Sequence, residues 1–148
     1  MSLRFRHPPP AREAGFTLVE LMVVIVIIGL LATIVAVNVI PASDKAAIQK
    51  ARADIATIEQ ALEMYRLDTM SYPTTTQGLQ ALVAPPPDLA QPGRYRSGGY
   101  VKRLPDDPWG RPYLYANPGR RGAFDVWTLG ADGAEGGEAE NADIGNWE

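Results

Sequence analysis

No cysteine occurs among the 148 residues, and histidine occurs once, at His7. The first absence excludes disulfides, thiolate metal sites and cysteine nucleophiles. The second leaves no imidazole beyond residue 7, which removes serine-histidine hydrolases, histidine-ligated zinc and most general-base schemes from the rest of the chain. No G-x-x-x-x-G-K-[ST] run is present, so a P-loop nucleotide site is excluded as well. Lysine and arginine number 14 against 17 acids, a net charge of −3, and no basic face is clustered in the later part of the chain. Nucleic acid is therefore not an expected partner. Carboxylates remain as the acid-base groups, and none falls in an obvious paired motif.

Charge is also missing from one long stretch. Residues 21–37, LMVVIVIIGLLATIVAV, carry none, and the run extended from Phe16 to Ile40 covers 25 residues interrupted by a single acid, Glu20. At about 1.5 Å per residue it reaches about 37 Å, enough to cross a hydrocarbon core of about 30 Å with some tilt. Arg4, Arg6 and Arg12 precede it against one acid, Glu13. That bias keeps the N-terminus cytoplasmic and sends the chain beyond Ile40 outward. A cleaved secretory signal is the plainer alternative. The run is longer than an ordinary signal core, however, and it ends in Asn38-Val39-Ile40-Pro41 where a signal would offer Ala-x-Ala. A retained helix is the expectation.

Glu20 decides what kind of retained helix this is. A carboxylate inside a spanning segment costs roughly 2.5–3.5 kcal/mol or more unless it finds a partner. If the chain were cut between Gly15 and Phe16, the new α-amine would lie one helical turn ahead of Glu20. Helical side chains lean toward the N-terminus, where the dipole favours an anion, so Glu20 would be aimed at that amine or at a neighbouring subunit's. A glutamate solvated at headgroup level is the alternative.

Beyond Pro41 a helical pattern resumes. Ile48, Ala51, Ile55, Ile58, Leu62 and Tyr65 recur at intervals of three and four, with Lys45, Lys50, Arg52, Asp54, Glu59, Glu63 and Arg66 on the other faces. The pattern predicts an amphipathic helix of about six turns, packed by its apolar stripe on the domain's own sheet. Pro41 either kinks a continuous rod or marks a break. Ser71 to Thr75 ends the helix, and Thr75 or Thr76 can cap a short one through residues 79–83. Pro85-Pro86-Pro87 through Pro92-Gly93 predicts an irregular surface loop. Residues 111–116 and 124–129 read as strands, and the Asn117 to Gly122 turn between them predicts an antiparallel hairpin. The expected fold class is α+β: a long N-terminal helix, half membrane and half amphipathic, packed on a small antiparallel sheet.

The last stretch, 131–148, holds six acids, four glycines and no lysine or arginine. Such composition is often disordered, yet Ile144-Gly145-Asn146-Trp147 would waste large apolar side chains on a floppy end. A turn-rich loop of carboxylates needs a counter-cation, and hard oxygen donors select Ca²⁺ over transition metals. EF-hand spacing is not met after Asp132-Gly133, so a site here would be an irregular loop.

Two sets of residues carry a family resemblance. Gly15-Phe16-Thr17-Leu18-Val19-Glu20 ahead of a long apolar run resembles the class III signal of type IV pilins and pseudopilins. That resemblance implies peptidase cleavage after Gly15, N-methylation of Phe16 and an assembly role for Glu20. The second set begins with Tyr72-Pro73-Thr74-Thr75, Gln77-Gly78-Leu79-Gln80-Ala81-Leu82 and Leu104-Pro105 with Asp107-Pro108-Trp109-Gly110. It continues with Leu129-Gly130-Ala131-Asp132-Gly133 and Asp143-Ile144-Gly145-Asn146-Trp147. In that order these resemble the major pseudopilin family of type II secretion systems, general secretion pathway protein G, from Gly15 to Trp147.

The organisation implied is a leader at 1–15, a transmembrane helix at 16–40 and a periplasmic domain at 41–148 carrying a calcium-binding loop. The ligands implied are the Leu129 carbonyl, Asp132, Asn141 and Asp143, with Glu140 as the alternate to Asn141. The implied role is structural: a pseudopilus subunit in the inner membrane, N-terminus inside and body in the periplasm, that polymerises and helps drive folded proteins outward. Its implied partners are membrane lipid before assembly, its own copies, minor pseudopilins, the prepilin peptidase, and the inner-membrane platform with its ATPase. A type IV pilus subunit is the alternative, though those usually close with a disulfide. A membrane-anchored periplasmic enzyme is the third reading.

Overall fold

A computed structural model describes residues 15–148, without the side chains of residues 37–42. The expected leader therefore lies outside the described residues except for Gly15. Helix α1 runs over Leu18–Thr69, and Pro41 falls within it, so the proline does not divide it into two elements. By its contacts the chain forms two units, one ending at Ile40 and one spanning Pro41–Glu148. Each is described on its own.

In the first unit, Leu18–Ala36 is long and apolar enough to cross a membrane, about 28 Å at 1.5 Å per residue. Its large side chains, from Leu18 to Val35, are all exposed within the chain. An apolar helix with no protein covering it is unstable in water and needs lipid or other helices around it.

The second unit is organised by the stripe that the spacing predicts. Ala51, Ile55, Ile58, Leu62 and Tyr65 are each at most 3% exposed, joined by Ala61, while Ile48 packs at the margin. Opposite them lie Leu79, Leu82, Tyr113, Phe124, Val126 and Ile144. α1 ends where Met70 turns to φ +70°, its N–H still donating to the Arg66 carbonyl at 2.8 Å. A left-handed residue past the last turn stops a helix by redirecting the chain.

The sheet has strands β1 (Leu114–Ala116), β2 (Asp125–Thr128) and β3 (Ile144–Gly145), in that spatial order. β1 and β2 form the expected antiparallel hairpin, with Tyr115 opposite Val126, although both strands are shorter than the sequence pattern suggests. Pro112 is held instead by an isolated bridge to Asp106. The turn between the strands contains a cis peptide bond at Asn117–Pro118. β3, not foreseen, pairs antiparallel with the other edge of β2, Thr128 opposite Ile144.

Two local expectations are corrected. Thr75 and Thr76 do not cap the helix that follows; Gly78 precedes a 3₁₀ turn at Leu79–Leu82 without any side-chain cap. Thr75 is used across the fold, its hydroxyl donating to the Asn117 carbonyl and accepting from the Asn117 N–H, both at 2.9 Å. The proline-rich loop also contains a short 3₁₀ turn, Pro92–Arg94, with proline where its missing N–H costs nothing.

Six tyrosines weld these pieces together. Tyr65, Tyr95 and Tyr100 form a ring cluster with centroids 5.2–6.2 Å apart, which fastens the 92–100 loop to the core. The Tyr113 hydroxyl donates to Asp54 on α1 at 2.9 Å and the Tyr115 hydroxyl to the Pro73 carbonyl at 2.8 Å. Burial pushes both phenols well above the usual tyrosine value, reinforced at Tyr113 by the hydrogen bond to Asp54.

Two outcomes are expected. Leu62→Ala should lower unfolding stability by about 2–5 kcal/mol, whereas Leu67→Ala on the exposed side of the same helix should change it by less than about 0.5 kcal/mol, read from urea midpoints. The raised phenols favour the neutral form in the fold, so their contribution is complete below about pH 10, where free tyrosine titrates, and is lost as pH rises further. The urea midpoint should fall above about pH 10, and Tyr113→Phe should remove part of that fall.

Candidate functional sites: the helix start and the acidic loop

Two places collect the residues that the sequence singled out. At the start of α1, Gly15 to Thr17 lie outside the helix, and among the described residues no atom beyond Gly15's chain neighbours comes within 4 Å of where a side chain on it would sit. Phe16 is 84% exposed. The Gly15–Phe16 bond therefore lies in open, unwound chain, the form in which a protease can take hold of a backbone. Thr17 caps the helix: its hydroxyl accepts the Glu20 N–H at 3.2 Å, and its carbonyl accepts the Leu21 N–H at 3.2 Å. Glu20 thus occupies the first turn, where the helix dipole favours an anion.

Thr17 was missed as a functional position, although the signal was present. Thr17-x-x-Glu20 ahead of an apolar run is the capping-box pattern. Its consequence is that Phe16 sits beyond the cap and not in the first helical turn, as the distance argument for its amine had assumed. A β-branched hydroxyl residue is stable at the cap because it satisfies an N–H that the helix itself leaves unpaired.

The acidic loop is ordered from both ends. At its far end, Asn146 hooks onto β2: its N–H donates to the Val126 carbonyl at 3.1 Å, its Oδ1 accepts from the Val126 N–H at 3.0 Å, and its Nδ2 donates to the Phe124 carbonyl at 3.2 Å. The guanidinium of Arg121 lies 4.1 Å from the Trp147 ring centre, and Arg52 pairs with Glu148 at 2.8 Å. Ile144 is 3% exposed in the core. At the near end the chain doubles back, with the Ala131 N–H donating to the Glu140 carbonyl at 2.8 Å. Gly130 takes φ +65°, and a side chain there would strike the Asn141 and Ala142 carbonyls at 2.7 and 2.8 Å. Only glycine fits that crossing.

Asp143 lies inside the loop. Its Oδ2 accepts the Gly136 N–H at 3.0 Å, while its Oδ1 is buried without a hydrogen-bond partner among the described residues. Asp132 is exposed, its Oδ1 accepting the Ala134 N–H at 3.0 Å. Asn141 is half-buried against Gly130, Leu129 is half-buried just before it, and Glu140 is exposed. The fold therefore brings the 129–130 segment onto the 141–142 segment. Among the described residues no three acidic, histidine or cysteine side chains gather as a metal-sized cluster, so Asp132, Glu140 and Asp143 do not meet as a carboxylate triad.

The loop is also less isolated electrically than its composition suggests. Arg120 and Arg121 line the same cleft as Glu135 and Asp143. Arg111 reaches the loop's other edge, its guanidinium donating to the Gly130 carbonyl and pairing with Asp107 at 3.6 Å. These cations lie outside residues 131–148, where sequence-local counting does not find them.

Comparison with known proteins places this geometry. The family model for the type II secretion system protein G matches residues 38–147, and the prokaryotic N-terminal methylation motif matches residues 10–36. The type II secretion system core protein G of Vibrio cholerae is 57% identical over 136 residues, covering 92% of each chain. That of Pseudomonas aeruginosa is 51% identical over 137 residues, covering 93% of this chain and 96% of its own. A crystal structure of the major pseudopilin from the type 2 secretion system of enterohaemorrhagic Escherichia coli superposes with a TM-score of 0.62 at 48% identity, covering 70% of this chain and 89% of that one. A family model that spans the whole Pro41–Glu148 unit but its last residue, together with identity carried through the N-terminal helix, leads to one conclusion: this chain belongs to the type II secretion system protein G family.

Proposed function

We propose that this chain is the major structural subunit of a type II secretion pseudopilus, a periplasmic filament whose growth helps drive folded proteins across the outer membrane. The observation that carries the reading is the apolar segment Leu18–Ala36, exposed along its length and preceded by an open Gly15–Phe16 bond with Glu20 in the first turn. Before assembly, lipid covers those side chains, with the N-terminus cytoplasmic and the Pro41–Glu148 body periplasmic. Cleavage after Gly15 and methylation of Phe16 leave a positive amine beyond the Thr17 cap, close in sequence to Glu20.

In the filament, copies of the helix replace lipid with one another, and Glu20 finds its counter-charge on its own or a neighbouring Phe16 amine. The prepilin peptidase, minor pseudopilins, the inner-membrane platform and its ATPase act on the subunit in turn. The role is structural and not catalytic. An adhesion or motility pilus is not favoured, because the matching relatives are named for secretion systems.

Calcium completes the reading of the acidic loop. The support is the buried, unpartnered Oδ1 of Asp143 in a region whose other donors are oxygens. With no acidic triad among the described residues, a cation here would be held by Asp132 and Asp143 together with Asn141 and the Leu129 carbonyl, Glu140 being the alternate to Asn141. Few side-chain carboxylates plus carbonyls is a donor set that a flexible-coordination cation such as Ca²⁺ accepts. When bound, the ion would neutralise the loop and lock its two ends together.

The function is tested in a host deleted for its own core subunit. Complementation with this chain should restore secretion, and mass spectrometry of the membrane fraction should find Phe16 at the N-terminus carrying one extra methyl. Glu20→Ala should still insert, since an apolar residue is cheaper there, but secretion should fall by at least about tenfold. Secretion restored equally by Glu20→Ala would remove the assembly role, and a persistent Met1 or Ser2 terminus in a peptidase-positive host would remove the processing step.

The metal is tested by thermal melting of the mature chain in detergent micelles. Calcium at a hundredfold over Kd adds about 2.7 kcal/mol, a Tm rise of roughly 10 °C over chelator for a domain of this size. Asp132→Ala or Asp143→Ala should abolish most of that rise, and Mg²⁺ should give little because its rigid octahedral shell fits an irregular loop poorly. Equal melting with calcium and chelator would reject the site.

A further inference from the structure

We infer that Arg111 is a positioning residue for the acidic loop: it clamps the loop's near end to the sheet through Asp107. Asp107 is 5% exposed, and its two oxygens are fully engaged. Oδ1 accepts the Trp109 N–H at 3.0 Å and the Arg111 N–H at 2.8 Å. Oδ2 accepts the Thr128 hydroxyl of β2 at 2.5 Å and faces the Arg111 Nε at 3.6 Å. The buried carboxylate is thus tied to the central strand and fixes the direction of the Arg111 side chain.

From there the guanidinium donates to the Gly130 carbonyl. It also lies where a side chain on Gly133 would be, so the left-handed turn at Gly133, φ +69°, leaves room for it. One planar cation therefore connects β2, through Thr128 and Asp107, to Gly130, and it fills the space beside Gly133. Arginine can do this because its fork presents donors in two directions at once, which a lysine point charge cannot. The clamp places a permanent positive charge at the neck of a loop with six acids and no internal cation. It also holds the backbone that immediately flanks Leu129 and Asp132. Groups that orient ligands without touching the ion commonly change metal affinity 10- to 100-fold, at order of magnitude (~), when removed.

The metal arm of this inference rests on the calcium reading; the clamp itself does not. Hydrogen exchange of the mature chain in detergent micelles separates the two. In chelator, Arg111→Gln should speed exchange of the 130–143 amides by about tenfold while amides of α1 between residues 55 and 65 change less than about twofold. Arg111→Lys should behave like Arg111→Gln, because charge without the fork does not bridge Asp107 and Gly130. Gly133→Ala both displaces the guanidinium and strains a left-handed position, so it is compared in two backgrounds: it should loosen the loop clearly more in the wild-type chain than in Arg111→Lys, where the clamp is already broken. With calcium added, the dissociation constant read from loop protection should rise by about tenfold or more in each variant.

Exchange at 130–143 unchanged in Arg111→Gln and Gly133→Ala would overturn the clamp. So would a uniform rise across α1 and the loop, which would make Arg111 an ordinary contributor to stability, and so would a wild-type pattern in Arg111→Lys. If calcium leaves wild-type exchange unaltered, the calcium reading fails while the chelator comparison still decides the clamp.

Discussion

The Pro41–Glu148 unit depends on covering one stripe of one helix. Ala51, Ile55, Ile58, Leu62 and Tyr65 lie on α1 with almost no exposure, and a single helix cannot bury its own face. Everything after residue 70 supplies the cover: a 3₁₀ turn, a tyrosine-pinned loop and a three-stranded sheet. The strands are two to four residues long, too short to stand alone. They persist because Val126, Tyr113, Phe124 and Ile144 reach the same stripe. Side-chain bonds across large sequence distances, such as Tyr113 to Asp54 and Thr75 to Asn117, then replace the ladder bonds that longer strands would have provided.

The membrane half of α1 obeys the opposite logic. Among the described residues nothing covers Leu18–Ala36, so its burial has to come from its surroundings. Glu20 is tolerable beside that apolar run because it lies in the first turn next to the Thr17 cap, where the helix dipole favours an anion.

The acidic loop shows how a segment with a disordered-looking composition becomes ordered. Three of its carboxylates take part, Glu148 pairing with Arg52 and Asp132 and Asp143 accepting loop N–H groups, but the main anchors are not acids. Asn146 satisfies both backbone groups of Val126, Trp147 stacks against Arg121, and Ile144 enters the core. These anchors hold the far end, Arg111 and the Gly130 crossing hold the near end, and the acids are displayed between them. One oxygen of Asp143 is left buried and unanswered inside that frame.

Features carried by local pattern were readable from the sequence. The three-and-four spacing from Ile48 to Tyr65 gave the buried face of α1, the uncharged run gave an exposed apolar stretch of helix long enough to cross a membrane, and two strand-like runs around Asn117 to Gly122 gave the hairpin. Each is set by periodicity or by backbone restrictions within a few residues, so neighbours in sequence suffice to specify it. The motifs likewise carried the family, since they are strings of adjacent residues. What the sequence could not determine depends on residues far apart in it. β3 is two residues long and exists because β2 offers it an edge; the turn at Leu79–Leu82 starts after Gly78, while Thr75 bonds the Asn117 backbone; and the loop's cations, Arg111 and Arg121, come from outside the acidic stretch. Tertiary structure decided these because hydrogen bonds and ion pairs act over a few ångströms of space, whatever their separation along the chain.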